Sequence, residues 1–136
     1  TGPLSLTTGD LDGDADIDIA VANYVRNDVS VLLNNGNGAF EAAINYSSGP
    51  GTWNVSSGDF DADGDLDLAV ANDGNASVSV LLNNGNGTFA PRVNYATGAN
   101  PRWVAVGDVD GDGSPDMVVP NYNDNNVSVL LNQQVP

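Results

Sequence analysis

The sequence predicts an all-β fold made of repeated units, and three observations lead to this prediction. The 136 residues contain 16 glycines and 7 prolines, which disfavour the interior of helices. Apolar residues alternate with polar or small ones along segments such as 66–71, and a period of two is typical of β-strands. Closely similar segments return every 49 residues, and periods of 20–50 residues indicate a solenoid, a propeller or an array.

The repeat organises the chain into one domain, residues 1–136, with copies at 1–49, 50–98 and 99–136. The tripeptide Leu-Leu-Asn occurs once in each copy at the same register, ending at Asn34, Asn83 and Asn132. Small residues at equivalent positions of two copies suggest that sheets approach each other closely on one face: Ala20, Ala22, Ala69 and Ala71.

Each complete copy is expected to form four short strands. In the middle copy these are residues 53–57, 66–71, 78–82 and 89–95. The segment 83–87, with its two Asn-Gly pairs, is typical of a tight turn, because both residues tolerate positive φ. Four antiparallel strands in about 40–50 residues make one propeller blade. A β-solenoid, the competing interpretation, has shorter coils without these hairpins, so the sequence favours β-propeller blades.

The third copy stops after Leu131 with Gln133, Gln134, Val135 and Pro136, so three blades are predicted and the last lacks its fourth strand. Propellers usually close with about 4–8 blades, which three cannot do alone. We therefore expect the chain to self-associate, for example as a dimer that completes a six-bladed ring, or to be part of a longer chain. An open strand edge on the third blade favours association.

The most distinctive segments are three nine-residue acidic loops: DLDGDADID (10–18), DFDADGDLD (59–67) and DVDGDGSPD (108–116). They hold fourteen of the eighteen acidic residues. Carboxylates this close repel one another unless a cation neutralises them, and Ca²⁺ accepts about 6–8 oxygen ligands. The loops therefore predict about three Ca²⁺ ions, one per repeat, although solvated Asp/Gly-rich turns are the competing interpretation.

The expected ligands are the side chains at loop positions 1, 3, 5 and 9 and the backbone carbonyl at position 7. In loop order these are Asp10, Asp12, Asp14, Asp16 and Asp18; Asp59, Asp61, Asp63, Asp65 and Asp67; Asp108, Asp110, Asp112, Ser114 and Asp116. Position 6, where the loop must turn sharply, is Gly64 or Gly113, but Ala15 in the first copy is expected to strain its loop.

Two other metal sites are disfavoured. An EF-hand requires a glutamate at position 12, which here is Val21, Val70 or Val119. Mg²⁺ prefers few carboxylates and retains its waters. The position-12 valines lie in a predicted strand, so the loops are expected to connect strands.

The segments GDFDADGDLDLAVAN (Gly58 to Asn72) and SVSVLLNNGNGTF (Ser77 to Phe89) resemble FG-GAP-like repeats of the VCBS type, which are related to the calcium-bearing blades of integrin α-subunit propellers. The resemblance covers nearly the whole chain. It implies a propeller with Ca²⁺ in the loop that joins the first and second strands of each blade. It also implies a secreted or cell-surface setting and roles in adhesion or ligand recognition. Ala15 and the short third copy depart from the pattern.

Composition excludes several function classes. Three basic residues against eighteen acidic ones give a net charge of −15, so nucleic acid and anionic membranes are poor partners. The chain has no histidine or cysteine, which argues against zinc and haem sites. No apolar run approaches the roughly 18 residues of a membrane span, so membrane insertion is not expected.

The sequence predicts a binding or scaffold module for an unidentified protein or glycan ligand, and not an enzyme, because no base or nucleophile accompanies the metal loops. Trp103, Tyr24 and Tyr122 are the candidate ligand contacts, with packing as the competing interpretation. Trp53 and Trp103 are one position out of register, and neighbouring positions of a strand face opposite ways. A carbohydrate-binding lectin propeller and an accessory domain of a polysaccharide-processing enzyme are the alternatives.

Overall fold

The structure is a computed structural model that describes residues 2–133, and these residues form three antiparallel sheets without a helix. The first sheet contains β1 (Pro3–Gly9), β2 (Asp18–Asn23), β3 (Asp28–Leu32) and β4 (Ile44–Ser47). The second contains β5 (Thr52–Gly58), β6 (Asp67–Asn72), β7 (Ser77–Leu81) and β8 (Val93–Ala96). The third contains β9 (Ala105–Gly107), β10 (Asp116–Asn121) and β11 (Asn126–Leu130).

In each sheet the strands pair in chain order, so each sheet is an up-and-down meander. The all-β prediction and the four-stranded unit are confirmed; the sheets do not form a closed ring. The third sheet has three strands within the described residues. Gln134, Val135 and Pro136, to which the prediction of a missing fourth strand also refers, lie outside them. None of the described residues belongs to a helix long and apolar enough to cross a membrane.

The fourth strand of the middle sheet begins later than the sequence suggests. A strand was predicted from residue 89, but β8 starts at Val93. Phe89 forms only an isolated bridge with Asn83, and the amide of Ala90 donates to the carbonyl of Leu82 (2.8 Å). Pro91 follows and has no amide hydrogen to donate, which interrupts the ladder. The first half of this predicted strand is therefore wrong.

The second and third strands of the middle sheet are buried on both faces because the three sheets pack in chain order. Every residue of β6 and β7 is buried. On one face, Val55, Leu68 and Val70 pack with residues of the first sheet. On the other, Ala69, Ala71 and Val78 pack with residues of the third. Alternation along β6 thus divides its side chains between two hydrophobic cores.

The first strands of the sheets lie side by side, with β5 between β1 and β9. Asn54 on β5 joins both neighbours: its side-chain amide donates to the hydroxyl of Ser5 (2.8 Å), and its oxygen accepts from the amide of Val104 (3.0 Å). Successive sheets are therefore held together along their first strands, an arrangement compatible with blades around an axis.

Candidate metal sites

Each acidic loop joins the first strand of a sheet to the second. β1 ends at Gly9 and β2 begins at Asp18, and the equivalent residues of the later sheets follow at intervals of 49. The expected position between first and second strands is therefore observed in all three sheets.

In each loop the carboxylates at positions 1, 3 and 9 converge. One oxygen from each lies within 4.8 Å of the others, in the triads Asp10, Asp12 and Asp18; Asp59, Asp61 and Asp67; Asp108, Asp110 and Asp116. Three negative groups at this separation repel one another strongly unless a cation lies between them. Each triad is a group of residues that could hold a metal ion.

The residues at positions 5 and 7 are outside these triads but shape the loops. In all three copies the position-5 carboxylate accepts the position-7 amide, as Asp14 does from Asp16 (2.8 Å). The remaining pairs are Asp63 with Asp65 (2.9 Å) and Asp112 with Ser114 (2.8 Å). The Asp16 carboxylate also lies against Gly36, where an added Cβ would be 2.5 Å from Oδ2. The φ of 74° at Gly36 is the firmer constraint, because L-residues rarely adopt it, so the turn after β3 favours glycine there.

The position-1 carboxylate organises the curl of the loop. Asp10 accepts the amide of Gly13 with one oxygen (2.8 Å) and that of Ala15 with the other (2.9 Å). Asp108 makes the same pair of bonds with Gly111 and Gly113 (2.6 and 2.9 Å). These bonds bring two backbone amides toward each aspartate, and both donors lie at positive φ.

The predicted sharp turn at position 6 is confirmed, with φ of 73° at Ala15, 98° at Gly64 and 93° at Gly113. Sequence reasoning missed a second such turn at position 4, where φ is 82° at Gly13, 61° at Ala62 and 84° at Gly111. An L-residue in this region costs about 1 kcal/mol relative to glycine. The first and second loops each carry one strained alanine, and the third carries none.

The middle loop contains a buried carboxylate oxygen without a hydrogen-bond partner. Asp59 Oδ2 accepts the amide of Gly64 (3.1 Å), but Asp59 Oδ1 has no partner. In the other two loops the corresponding oxygen accepts an amide from position 4. A buried anionic oxygen without a partner is costly unless a cation lies beside it. The donor set, all carboxylate oxygen, fits a hard divalent ion.

The position-9 aspartate connects the loop to the segment that follows the third strand of its own sheet. Asp67 is fully buried and accepts two amides, from Phe60 (2.8 Å) and from Asn83 (2.7 Å). Asp18 and Asp116 make the equivalent bonds in their sheets. The position-9 aspartate, which the sequence predicts to be a metal ligand, thus also connects two segments of its sheet.

The two later position-9 carboxylates differ in acidity. Burial raises the pKa of Asp67 to about 6, the two amide bonds oppose the rise, and the charges of Asp61 and Asp63 add to it. For Asp116 the amides of Val109 and Asn132 outweigh burial and lower the pKa. Partial burial and neighbouring negative charges also raise the pKa of Asp12 and Asp61. A cation would relieve the repulsion that favours the protonated forms.

Two asparagines of the Leu-Leu-Asn tripeptides, Asn83 and Asn132, connect neighbouring sheets, a role that sequence reasoning missed. Asn83 donates to the carbonyl of Leu11 in the preceding acidic loop (2.8 Å) and to that of Leu66 in the acidic loop of its own sheet (3.0 Å). Asn132 donates to Phe60 in the same way (2.8 Å). The constant spacing between these asparagines and the acidic loops is the feature of the sequence that could have indicated this role. Each later sheet thereby supports the acidic loop of the sheet before it.

The three candidate ligand contacts do not form one cluster. Tyr24 packs edge-on against Trp53 (5.4 Å between ring centroids), and Arg102 lies over Trp53 (4.7 Å) and over Tyr122 (4.2 Å). Tyr24 and Tyr122 therefore end a row that crosses the three sheets; this favours packing for Tyr24, whereas Tyr122 is 64% exposed. Trp103 is outside this row and 55% exposed. Trp53 and Arg102 occupy equivalent positions of the repeat, 49 residues apart. This equivalence could have indicated that they lie in one row, but not that they form cation–π contacts.

Comparison with known protein families agrees with the repeat. A family model described as FG-GAP-like repeat matches the chain twice, over residues 10–70 and 59–119. Each match begins at the first aspartate of an acidic loop and extends into the second strand of the next sheet. No curated protein gives a significant match.

Proposed function

We propose that this chain, which belongs to the FG-GAP-like repeat family, is a calcium-binding scaffold module. Each acidic loop holds one structural Ca²⁺, and the loops and rims of the sheets are presented to a protein or glycan partner. The observation that carries the proposal is the convergence of three carboxylates, within 4.8 Å of one another, in each of three equivalent loops.

Calcium is the cation that suits these loops best. Ca²⁺ binds carboxylate and backbone carbonyl oxygens at about 2.3–2.6 Å and tolerates irregular geometry. The chain has no histidine or cysteine that would favour a softer metal. The ligands are those at positions 1, 3, 5 and 9 with the carbonyl at position 7, and Asp59 Oδ1 is a buried acceptor ready for the ion.

The role of the ion is structural rather than catalytic. Both oxygens of the position-9 aspartate already accept backbone amides, so an ion at the triad stiffens the loop and the strands joined to it. For an extracellular module with a Kd of about 0.1 mM, ~2 mM Ca²⁺ stabilises the fold by about 1.8 kcal/mol per site. Three sites matter against a total of about 5–15 kcal/mol. A secreted or cell-surface location and an adhesion role fit this weak, calcium-dependent stability.

Calcium titration of the chelator-treated chain tests the proposal. We expect calorimetry to detect about three ions, and the melting temperature to rise with Ca²⁺ and much less with Mg²⁺. Asp61→Asn should remove one site, whereas Glu41→Gln, which removes one charge outside the loops, should keep all three. A melting curve indifferent to EDTA, with no heat of Ca²⁺ binding, would overturn the calcium assignment.

The sheets are proposed to be blades of a β-propeller that closes through further blades. Val55 and Val78 are buried on opposite faces of the middle sheet, whereas the equivalent Leu6 and Val127 at the two ends are 59% and 56% exposed. The two end faces thus repeat the composition of a buried interface. They are expected to pack together, either in a second copy that completes six blades or in a longer chain.

Sedimentation at several concentrations tests this assembly. Self-association that Val129→Asp removes and Val25→Asp leaves intact would support it, because Val129 lies on an end face and Val25 lies in a turn. A chain that stays monomeric at every concentration, with or without Ca²⁺, would contradict the dimer.

Carbohydrate binding is a second proposal, and the observation in its favour is the exposure of Trp103 and Tyr122 on the third sheet. The exposed rings of Trp and Tyr combine an apolar face with a polar N–H or O–H group, which suits contact with a ligand. A glycan array with the wild type and Trp103→Ala distinguishes this from a protein-binding role. Binding that survives the substitution would exclude Trp103 from the sugar site.

A further inference from the structure

We infer that a pocket between the first and second sheets binds a carboxylate that is attached to a small apolar group. The pocket has a volume of about 480 Å³ and lies between β4 and the segment 89–94, which leads into β8 and includes its first residues. Both walls belong to four-stranded sheets that lie wholly within the described residues. We call it the Arg92 pocket.

The guanidinium group of Arg92 has an edge with an unpaired donor. Its Nη1 donates to the hydroxyl of Ser47 on β4 (2.6 Å), whereas its Nε is buried and has no hydrogen-bond partner. Nε and Nη2 form the other edge of this planar group, and a carboxylate binds such an edge through two parallel hydrogen bonds. A buried N–H group without an acceptor is costly, and a carboxylate oxygen in the pocket would remove this cost.

The charge of Arg92 is also without a partner among the described residues. Arg26 pairs with Asp28 (3.1 Å), and Arg102 lies over two aromatic rings. Arg92 has neither kind of partner within this part of the chain, and no acidic residue lines its pocket. The equivalent residue of the first copy is Ala43, so the fold of the repeat does not require an arginine there. These observations favour a ligand as the acceptor.

The rest of the lining favours a carboxylate with an apolar body. The side-chain oxygen of Asn94 accepts the hydroxyl of Ser79 (2.7 Å), so its nitrogen is the group left for a ligand. Tyr46 and Phe89, which pack edge-on, and Leu81 add apolar surface. The pocket thus offers donors beside an apolar wall. A sugar fits it less well, because hydroxyl groups require acceptors as well as donors.

The net charge of −15 opposes the approach of an anion, but this charge is concentrated elsewhere. Fourteen of the eighteen acidic residues are in the acidic loops. At about 0.15 M salt, exposed charges more than about 8 Å apart are largely screened. A bound carboxylate therefore interacts mainly with the groups that line the pocket, and among them Arg92 carries the only charge.

Titration of the whole chain with phenylacetate tests the inference, and phenylacetamide is a neutral control of similar shape. The measurement is the NMR signal of each arginine Nε–H group, recorded in Ca²⁺ buffer at about 0.15 M salt. We expect phenylacetate to shift the Arg92 signal saturably, with a Kd at least about tenfold lower than that of phenylacetamide. Equal affinities, an equal shift at Arg26, or no shift at Arg92 would overturn the proposal.

A free organic acid and the end of a polypeptide can supply the same chemistry, and a second probe separates these sources. Acetyl-glycyl-phenylalanine carries the carboxylate of a chain terminus beside a phenyl group. Binding at least about tenfold tighter than that of phenylacetate would support the C-terminus of a protein partner as the ligand. Similar or weaker binding would support a small organic acid.

Three variants locate the bound carboxylate, with affinity measured on the NMR signals of phenylacetate. Arg92→Ala copies the residue of the first copy and should weaken binding at least about tenfold while the chain stays folded. Arg26→Ala removes the same charge outside the pocket and should leave the affinity unchanged. Arg92→Lys keeps the charge without the planar pair of donors and should bind at least about threefold more weakly than the wild type. Unchanged affinity in either Arg92 variant would overturn the assignment of the carboxylate to this guanidinium edge.

Discussion

The middle and third sheets share the repeat, including the acidic loop and the third strand, but differ in how much protein surrounds them. β6 and β7 are buried along their whole length, whereas much of β11 is exposed, because no sheet of the described residues covers the outer face of the third. The position-9 aspartates of the two sheets accept equivalent pairs of amides, yet the pKa of Asp67 is raised by burial and that of Asp116 is lowered by its amides. The repeat therefore encodes a common loop whose position-9 carboxyl group differs in pKa between the two sheets.

The largest difference should come from the asparagines that connect sheets. Asn83→Ala leaves the carbonyls of Leu11 and Leu66 without this donor inside the protein, and we expect a loss of about 3 kcal/mol. Asn34→Ala removes a bond to Ile17 (3.1 Å) at an exposed site and should cost about 1 kcal/mol. Urea unfolding of both variants measures this. Equal losses would mean that bridging between sheets contributes nothing beyond the local bond.

A matched pair of valines tests burial alone. Val78 and Val127 occupy the same strand position, but Val78 is 0% and Val127 is 56% exposed. We expect Val78→Ala to lower the free energy of unfolding by about 2 kcal/mol and Val127→Ala by less than about 0.5 kcal/mol. Thermal unfolding is measured at low protein concentration, so that self-association does not contribute to the result. If the loss of stability in Val127→Ala grows with protein concentration, the end face that contains Val127 is covered by a second copy.

Much of this architecture could be predicted from the sequence because periodicity reports local geometry. Alternation in residues 66–71 predicted β6 to within one residue, and Gly64 and Gly113 revealed the turn at position 6. The turn at position 4 was hidden because Ala62 occupies it at positive φ. The bond from Asn83 to Leu11 spans 72 residues, and a single sequence does not say which sheet follows which in space. Long-range contacts of this kind can be identified only when the three-dimensional fold is known.

The pH dependence of the metal-free chain should separate the two position-9 aspartates. The raised pKa of Asp67 means that the folded state holds this proton more tightly, so stability falls as pH rises from about 4 to about 6, on the order of 1 kcal/mol. The lowered pKa of Asp116 acts in the opposite sense: its contribution is present above about pH 4 and is lost as pH falls further.

Denaturation in EDTA at several pH values measures both contributions. Asp67→Asn should flatten the decline between about pH 4 and 6, and Asp116→Asn should weaken the loss below about pH 4. Identical profiles for the two variants would contradict the opposite pKa shifts of Asp67 and Asp116.

The smallest expected effects come from the strained alanines. Ala15→Gly and Ala62→Gly should each stabilise the metal-free chain by about 0.5–1 kcal/mol, because φ at these residues is 73° and 61°. Gly111→Ala, in the loop without a strained alanine, should destabilise it by a similar amount. Ala62→Gly leaves the carboxylate of Asp59 unchanged, so any gain in Ca²⁺ affinity reflects relief of loop strain rather than a new ligand. Unfolding and Ca²⁺ titration of the same variants distinguish the two. Stabilisation without a change in affinity would mean that the strain is the same in the metal-free and metal-bound loops.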